Sequence, residues 1–177
     1  MFKNQNVVII GASQGIGRAL AFEYASVGAN LVLLSRNIKA LKEISDKINS
    51  SGGKSFYQQC DVSYLSQLIN GIEFAVNSIG TIDIAIINSG VGSPEWMDNF
   101  TSEEFKRVYS VNVFGTANAI ECLLPVMKKQ GYGKIAGVSS LADSRGYPGS
   151  SSYCSSKAAA SIFLESARIQ LKKFNIF

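Results

Sequence analysis

Val7-Val-Ile-Ile-Gly-Ala-Ser-Gln-Gly-Ile-Gly-Arg18 is the stretch whose reading decides the fold. Val7–Ile10 is a continuous apolar run, the pattern of a strand buried on both faces. It enters Gly11, Gly15 and Gly17, after which Arg18–Val27 carries helical periodicity, with Gly28 as the stop. Gly11 permits a tight turn, Gly15 lets backbone approach a ligand without a Cβ in the way, and Gly17 allows helix to pack closely on strand. The start of that helix offers unpaired N–H groups to a pyrophosphate. Strand, glycines and helix in this order point to a dinucleotide rather than to a glycine-rich turn without a ligand.

Outward from this unit the same alternation continues. Leu31–Leu34 reads as a second buried strand, and Ile38–Ile48 as a helix with Ile38, Leu41, Ile44 and Ile48 on one face, ended by Ser50-Ser-Gly-Gly53. Ser55–Cys60 is the third strand, Ser63–Ile79 a helix that stops at Gly80, and Ile82–Ile87 the fourth strand. Thr101-Ser-Glu-Glu104 reads as a capping box that opens a long helix toward Gln130. Gly115 and Pro125 lie inside it and predict a kink or an early end near Leu124. Lys134–Ser139 is the fifth strand and Tyr153–Phe174 the last helix. Strands alternating with helices imply right-handed crossovers and a parallel sheet covered on both faces. The expected fold is α/β: one doubly wound, Rossmann-type domain over residues 1–177, strand order 3-2-1-4-5.

Composition narrows the function classes. The chain has 177 residues, 46% hydrophobic, with a formal charge of +4. Its lysines and arginines are scattered without a basic run, which argues against nucleic acid. The absence of histidine removes histidine-based triads and most zinc sites, so no metal is expected. Cys60, Cys122 and Cys154 are odd in number and far apart, as suits a reducing cytoplasm. The first residues lack the long apolar run of a signal peptide, and no apolar run reaches membrane-spanning length.

The end of the second strand should meet the adenosine ribose. An acid there would bond both ribose hydroxyls and repel a 2′-phosphate. This chain has Ser35-Arg36 instead. Arginine binds phosphate through paired hydrogen bonds and serine leaves room for it, so NADP(H) is favoured over NAD(H). As the alternative, Arg36 is a solvated strand end.

A second constellation lies near the other end of the chain. Tyr153 and Lys157 are four residues apart on a helix, so one turn stacks phenol and ammonium on the same face. A phenol is a poor acid or base at neutral pH unless a nearby cation stabilises its ionised form. A hydroxyl such as that of Ser140 could hold a carbonyl oxygen while the phenol moves a proton. Taken alone, the pair reads as a surface Tyr and Lys on an ordinary helix, since so short a motif often matches by accident.

Together these motifs make the chain similar to the classical short-chain dehydrogenases/reductases over essentially its whole length. Gly11-x-x-x-Gly15-x-Gly17 resembles the family's cofactor turn, with Ser13 and Ile16 among the residues it implies for cofactor binding. Asp61-Val62 matches the pair that contacts adenine. Asn88-Ser-Gly90 matches the segment after the fourth strand, with Ser89 where alanine is common and Ile87 in place of a first asparagine. Asn112 stands at the helix-kinking catalytic asparagine, and Ser140, Tyr153 and Lys157 at the spacing of the catalytic serine, tyrosine and lysine. Spacing favours Ser140 over its neighbour Ser139.

The resemblance implies an NAD(P)-dependent oxidoreductase that interconverts a carbonyl and an alcohol. In it Tyr153 protonates the carbonyl oxygen, Ser140 orients that oxygen, and Lys157 supports the phenol and bonds the nicotinamide ribose. Asn112 positions a water that links Lys157 to solvent. The helices Thr101–Gln130 and Tyr153–Phe174 are expected to form a homo-oligomer. Trp96, Met97 and Tyr147 suggest a largely apolar substrate, or else simply pack their loops. Arg145 reads as a solvated loop charge. Family members continue into a sixth strand, a substrate lid and a seventh strand. This chain ends at Lys172-Lys-Phe-Asn-Ile-Phe177, so a truncated form is expected, its fifth strand bearing an unpaired edge and its pocket lacking a wall. The alternative is a catalytically idle protein that binds nucleotide or a partner.

Overall fold

A computed structural model describes residues 3–177. The first strand, β1 (Asn6–Ile10), leads into α1 (Gly15–Ser26), and β2 (Asn30–Ser35) into α2 (Ile38–Ser50). Then follow β3 (Lys54–Gln59), α3 (Leu65–Ile79) and β4 (Ile84–Ile87). The second half holds α4 (Ser102–Tyr109), α5 (Gly115–Gln130), β5 (Lys134–Gly137) and α6 (Ser151–Leu171). The five strands form one sheet in the order β3-β2-β1-β4-β5. Every pairing is parallel, with Val8 beside both Val32 and Ala85.

The two-residue alternation of the strands divides the core into two layers. Val8, Ile10, Val32, Leu34, Ala85 and Ile87 pack with Leu68 and Ile72 of α3 and with Leu123 and Met127 of α5. Val7, Ile9, Leu31, Leu33, Ile84 and Ile86 pack with Ala21 of α1 and with Leu41, Ile44 and Ile48 of α2. Both faces of β1 and β2 are therefore dry, which is why these strands read as unbroken apolar runs. Each such Val, Leu or Ile contributes about 1.5–3 kcal/mol of burial.

The predicted helix from Thr101 to Gln130 differs in two ways. Thr101 caps α4 as expected, accepting from the Glu104 N–H. The break, however, falls at Ser110–Phe114, which forms a wide π turn around Asn112. No end occurs near Leu124, because α5 runs through Pro125 to Gln130. Leu123 and Met127 are fully buried on either side of the proline, and their packing outweighs one lost backbone bond. The side chain of Gln130 pins the helix end by exchanging bonds of 2.8 and 3.0 Å with the backbone of Ile82.

The edge of β5 also departs from expectation. Gly133 N–H donates to Asn175 O at 3.2 Å, Ile135 N–H to Phe177 O at 2.6 Å, and Phe177 N–H to Gly133 O at 3.0 Å. Residues 175–177 thus lie parallel to the start of β5 and pair the first part of its edge. At the carboxyl ends of the strands, Gly11, Ser35, Asp61, Asn88 and Ser139 come to one rim of the sheet, where ligands of open α/β folds bind.

Candidate active site

The glycine turn is held by contacts that admit no side chain. Gly11 has φ +95°, and a Cβ on it would stand 2.6 Å from the backbone nitrogen of Ser89. A Cβ on Gly17 would meet Gly11 O at 2.2 Å and Asn88 Nδ2 at 2.6 Å. Gly17 is therefore required by the turn and by Asn88, rather than by the strand beneath α1. Asn88 Nδ2 donates to Gly11 O at 2.8 Å and so fastens the turn to the end of β4. Gly15, by contrast, has φ +53° and open space where a Cβ would be. It faces a cleft of about 530 Å³ that is also lined by Ser13, Ile16, Arg36, Asp61, Val62, Asn88 and Gly90.

At the far end of this cleft, Arg36 is exposed and forms no ion pair among the described residues. Ser35 is buried, its Oγ accepting from the Asn37 N–H at 3.2 Å. Asp61 uses Oδ1 to accept from the backbone and hydroxyl of Ser63, at 3.0 and 2.6 Å. Val62 is buried against Gly115, where a Cβ would meet its Cγ2 at 2.5 Å. These residues leave room for a dinucleotide: an open glycine face, a strand-end guanidinium and a small serine beside it.

A second cleft, about 700 Å³, continues from the first through Ile16, Asn88, Gly90 and Val91 to Ser139, Tyr153 and Lys157. Lys157 is only 7% exposed, its ammonium donating to Val138 O at 2.8 Å and lying 5.9 Å from the centre of the Tyr153 ring. Burial pulls the Lys157 ammonium below its ordinary pKa, while the Asp143 carboxylate pulls the other way. Gly90 lies close beside it, where a Cβ would come to 3.3 Å of Nζ.

Asn112 is 2% exposed and fully engaged. Its Oδ1 accepts from Val91 N–H at 2.8 Å, and its Nδ2 donates to Val91 O and to Ser156 Oγ, both at 2.9 Å. The side chain braces the segment after β4 against α6, and the Thr116 hydroxyl donates to the Asn112 carbonyl at 2.8 Å. The π turn is what carries Asn112 toward this segment.

The two serines after β5 behave differently. Ser140 Oγ accepts from the Ala142 N–H at 3.1 Å and caps the short turn Leu141–Asp143. Ser139 is the hydroxyl on the cleft. It donates to Asp143 Oδ2 at 2.6 Å, as does the Ser161 hydroxyl at 2.7 Å, and the two serine oxygens lie 2.5 Å apart. Asp143 is held below the usual carboxylate range by the hydroxyls of Ser139 and Ser161. Trp96 lines the same cleft, whereas Met97 and Tyr147 are exposed outside it.

Sequence reasoning missed Asp143 and Glu95, both acids in short loops that carry no motif. For Glu95 one signal existed: α6 opens on Ser151-Ser152 with no acid in its first turn, so any carboxylate that caps it must come from elsewhere.

A family model described as short chain dehydrogenase matches residues 5–177. The chain is 33% identical over 183 residues to the 7alpha-hydroxysteroid dehydrogenase of Escherichia coli K12, spanning 99% of this chain and 71% of that protein. A solved 7 alpha-hydroxysteroid dehydrogenase complexed with NADH and 7-oxo glycochenodeoxycholic acid superposes with a TM-score of 0.94 at 32% identity, covering 99% of this chain and 68% of that one. An NAD+-bound xylitol dehydrogenase gives 0.95 at 29% identity, with 99% and 68% covered. With the parallel sheet and the glycine turn described above, these matches establish that the chain belongs to the short-chain dehydrogenase/reductase family of NAD(P)-binding oxidoreductases.

Proposed function

We propose that the protein is an NADP(H)-dependent oxidoreductase that interconverts a carbonyl and an alcohol, with Tyr153 as the proton-transferring acid and base. The observation that carries this reading is the buried Lys157 ammonium one helical turn from Tyr153, on a cleft continuous with the glycine turn. Gly11, Ser13, Gly15, Ile16 and Gly17 hold the pyrophosphate end of the dinucleotide, Asp61 and Val62 its adenine, and Asn88, Gly90, Tyr153 and Lys157 its nicotinamide end. When bound, the nicotinamide supplies or accepts the hydride.

Tyr153 gives its phenolic proton to the carbonyl oxygen in reduction and takes it back in oxidation. Lys157 places a positive charge beside the phenol, where negative charge develops as the proton leaves. Asn112 fixes Val91 and hence the segment bearing Gly90, which sets the cofactor side of the cleft against Lys157. Position and electrostatics are the contributions of these side chains.

The hydroxyl that polarises the substrate oxygen comes from the Ser139-Ser140 step. Family spacing assigns it to Ser140, and the place of Ser139 on the cleft supports Ser139 as a second reading. Loss of kcat in Ser140→Ala but not in Ser139→Ala upholds the first, and the reverse upholds the second.

The preference for NADP(H) rests on Arg36, exposed on the cleft with its guanidinium unpaired among the described residues. An apolar substrate is supported by Trp96, which lines the same cleft as Tyr153. A homo-oligomer is supported by the exposed apolar side chains Phe114, Ile162 and Ile169 on the expected helices. A cytoplasmic location accords with three free cysteines, and no helix among the described residues is long and apolar enough to cross a membrane. The test is NADPH oxidation with a panel of ketones. Turnover supports the reading, whereas tight NADPH binding without turnover of any ketone supports a nucleotide-binding protein instead.

A further inference from the structure

Glu95 stands out in its loop. Its neighbours Pro94 and Trp96 are exposed, yet Glu95 is only 6% exposed. The Ser152 hydroxyl donates to its two oxygens at 2.8 and 2.6 Å, the Ser152 N–H to Oε2 at 3.0 Å, and the Ser151 hydroxyl to Oε2 at 3.0 Å. These donors form the first turn of α6, which has no acid of its own there, and Ser150 supplies no side-chain cap. A carboxylate from the loop after β4 therefore caps the helix that bears Tyr153 and Lys157. Helix dipole and charge-assisted bonds both favour it in its ionised form, and the Ser152 bonds hold its pKa below the usual carboxylate value.

The backbone completes the tie. Glu95 N–H donates to Gly149 O at 2.9 Å, and Glu95 bridges Ser150 in parallel fashion. Two residues earlier, the Ser93 hydroxyl donates to Glu104 of α4, and Arg107 grips the same carboxylate at 2.6 and 2.7 Å. The loop is thus anchored on α4 at one point and on α6 at the other. Between these anchors and the end of β4 lies Gly92, whose backbone is pressed onto the Tyr153 ring. A Cβ on Gly92 would stand 2.8 Å from Tyr153 Cδ2 and 3.2 Å from Cγ. Tyr153 directly follows Ser152, the main donor to Glu95.

We propose that Glu95 is a positioning residue for Tyr153: by clamping the loop after β4 onto the first turn of α6, it seats Gly92 on the phenol ring and fixes where the hydroxyl stands in the cleft. The inference rests on the reading of Tyr153 as the proton-transferring group. Glu95 itself touches no reacting atom. Its effect passes through the loop, so it bears on turnover more than on cofactor affinity.

The unmodified chain and its Glu95→Ala, Glu95→Gln and Gly92→Ala variants test this by three readouts. These are kcat for a ketone, NADPH affinity, and the ring-flip rate of Tyr153 in tyrosine-labelled NMR, assigned against Tyr153→Phe. Glu95→Ala should lower kcat by about tenfold or more, as displaced catalytic groups do, with NADPH affinity unchanged and ring flips faster. Glu95→Gln keeps one acceptor oxygen and should recover part of the kcat. Gly92→Ala should lower kcat while Glu95 still protects the Ser152 amide from hydrogen exchange, an outcome that simple loss of a helix cap does not produce. The proposal is overturned if Glu95→Ala leaves both ring flips and kcat unchanged, or loses kcat only in step with NADPH affinity. If the unmodified chain turns over no ketone, the oxidoreductase reading fails, and the ring-flip comparison alone decides whether the clamp exists.

Discussion

Replacing Asn112 by leucine should destabilise the protein far more than a single lost polar contact. Asn112 is 2% exposed, and its amide makes three bonds of 2.8–2.9 Å, two of them to the backbone of Val91. Leucine has the same branched skeleton, is bulkier and has no polar atom, so the Val91 N–H and C=O lose their partner in a site already filled. Ser156 suffers less, because its hydroxyl still donates to Tyr153 O at 2.8 Å. At about 1–3 kcal/mol for each buried group left unpaired, and with Val91 half-buried, the loss should be about 2–4 kcal/mol. A chain of this size loses roughly 2–4 °C of Tm per kcal/mol, so a fall of about 4–16 °C is expected. Urea unfolding gives the free energy, and hydrogen exchange at the Val91 amide locates it. Asn118→Leu is the control, since Asn118 makes one bond of 3.0 Å, to Val62 O. A loss below about 1 kcal/mol with Val91 still protected would show that the brace is not what holds this segment.

Further outcomes follow from individual contacts. Arg36→Asp should weaken NADPH far more than NADH in fluorescence titrations, and equal losses would refute a 2′-phosphate contact at Arg36. Gly17→Ala forces a methyl to within 2.2 Å of Gly11 O; it should cost about 1–3 kcal/mol, read by urea unfolding, and impair dinucleotide binding. Glu104 is held down to about 2, from the usual 4.5, first by the Arg107 guanidinium and then by the Ser93 hydroxyl. A depressed folded value means its contribution is present above pH 4.5 and lost as pH falls toward 2. Acid unfolding of Glu104→Gln should therefore depend less on pH in that window, with only a small change near neutrality, as befits an exposed pair. Burial pushes the Cys60 thiol up to about 12 and the Cys122 thiol up to about 11, so iodoacetamide at neutral pH should label them only after unfolding.

The parallel sheet was legible because β1, β2 and β4 are buried on both faces and leave continuous apolar runs. The glycine turn was legible because Gly11 and Gly17 face backbone at distances that forbid a Cβ. What escaped depended on contacts between distant segments. Pro125 signals a helix end locally, but Leu123 and Met127 bury on the core and carry α5 past it. The π turn at Asn112 answers to Val91, twenty-one residues earlier, which no periodicity registers. Spacing selects Ser140, and it does not register that the chain after β5 also brings the Ser139 hydroxyl to the cleft. Glu95 carries no motif, and its meaning comes only from Ser151 and Ser152, 56 and 57 residues later.

On the proposed function, Tyr153 moves the substrate proton, while the dinucleotide is held mostly by other residues. Single-turnover NADPH oxidation with a reducible ketone, in the unmodified chain and in Tyr153→Phe, tests it most directly. The phenylalanine variant should lose about 10²–10⁴-fold in rate, the usual contribution of a general acid, while its affinity for NADPH changes little. A variant that keeps the rate of the unmodified chain would contradict it.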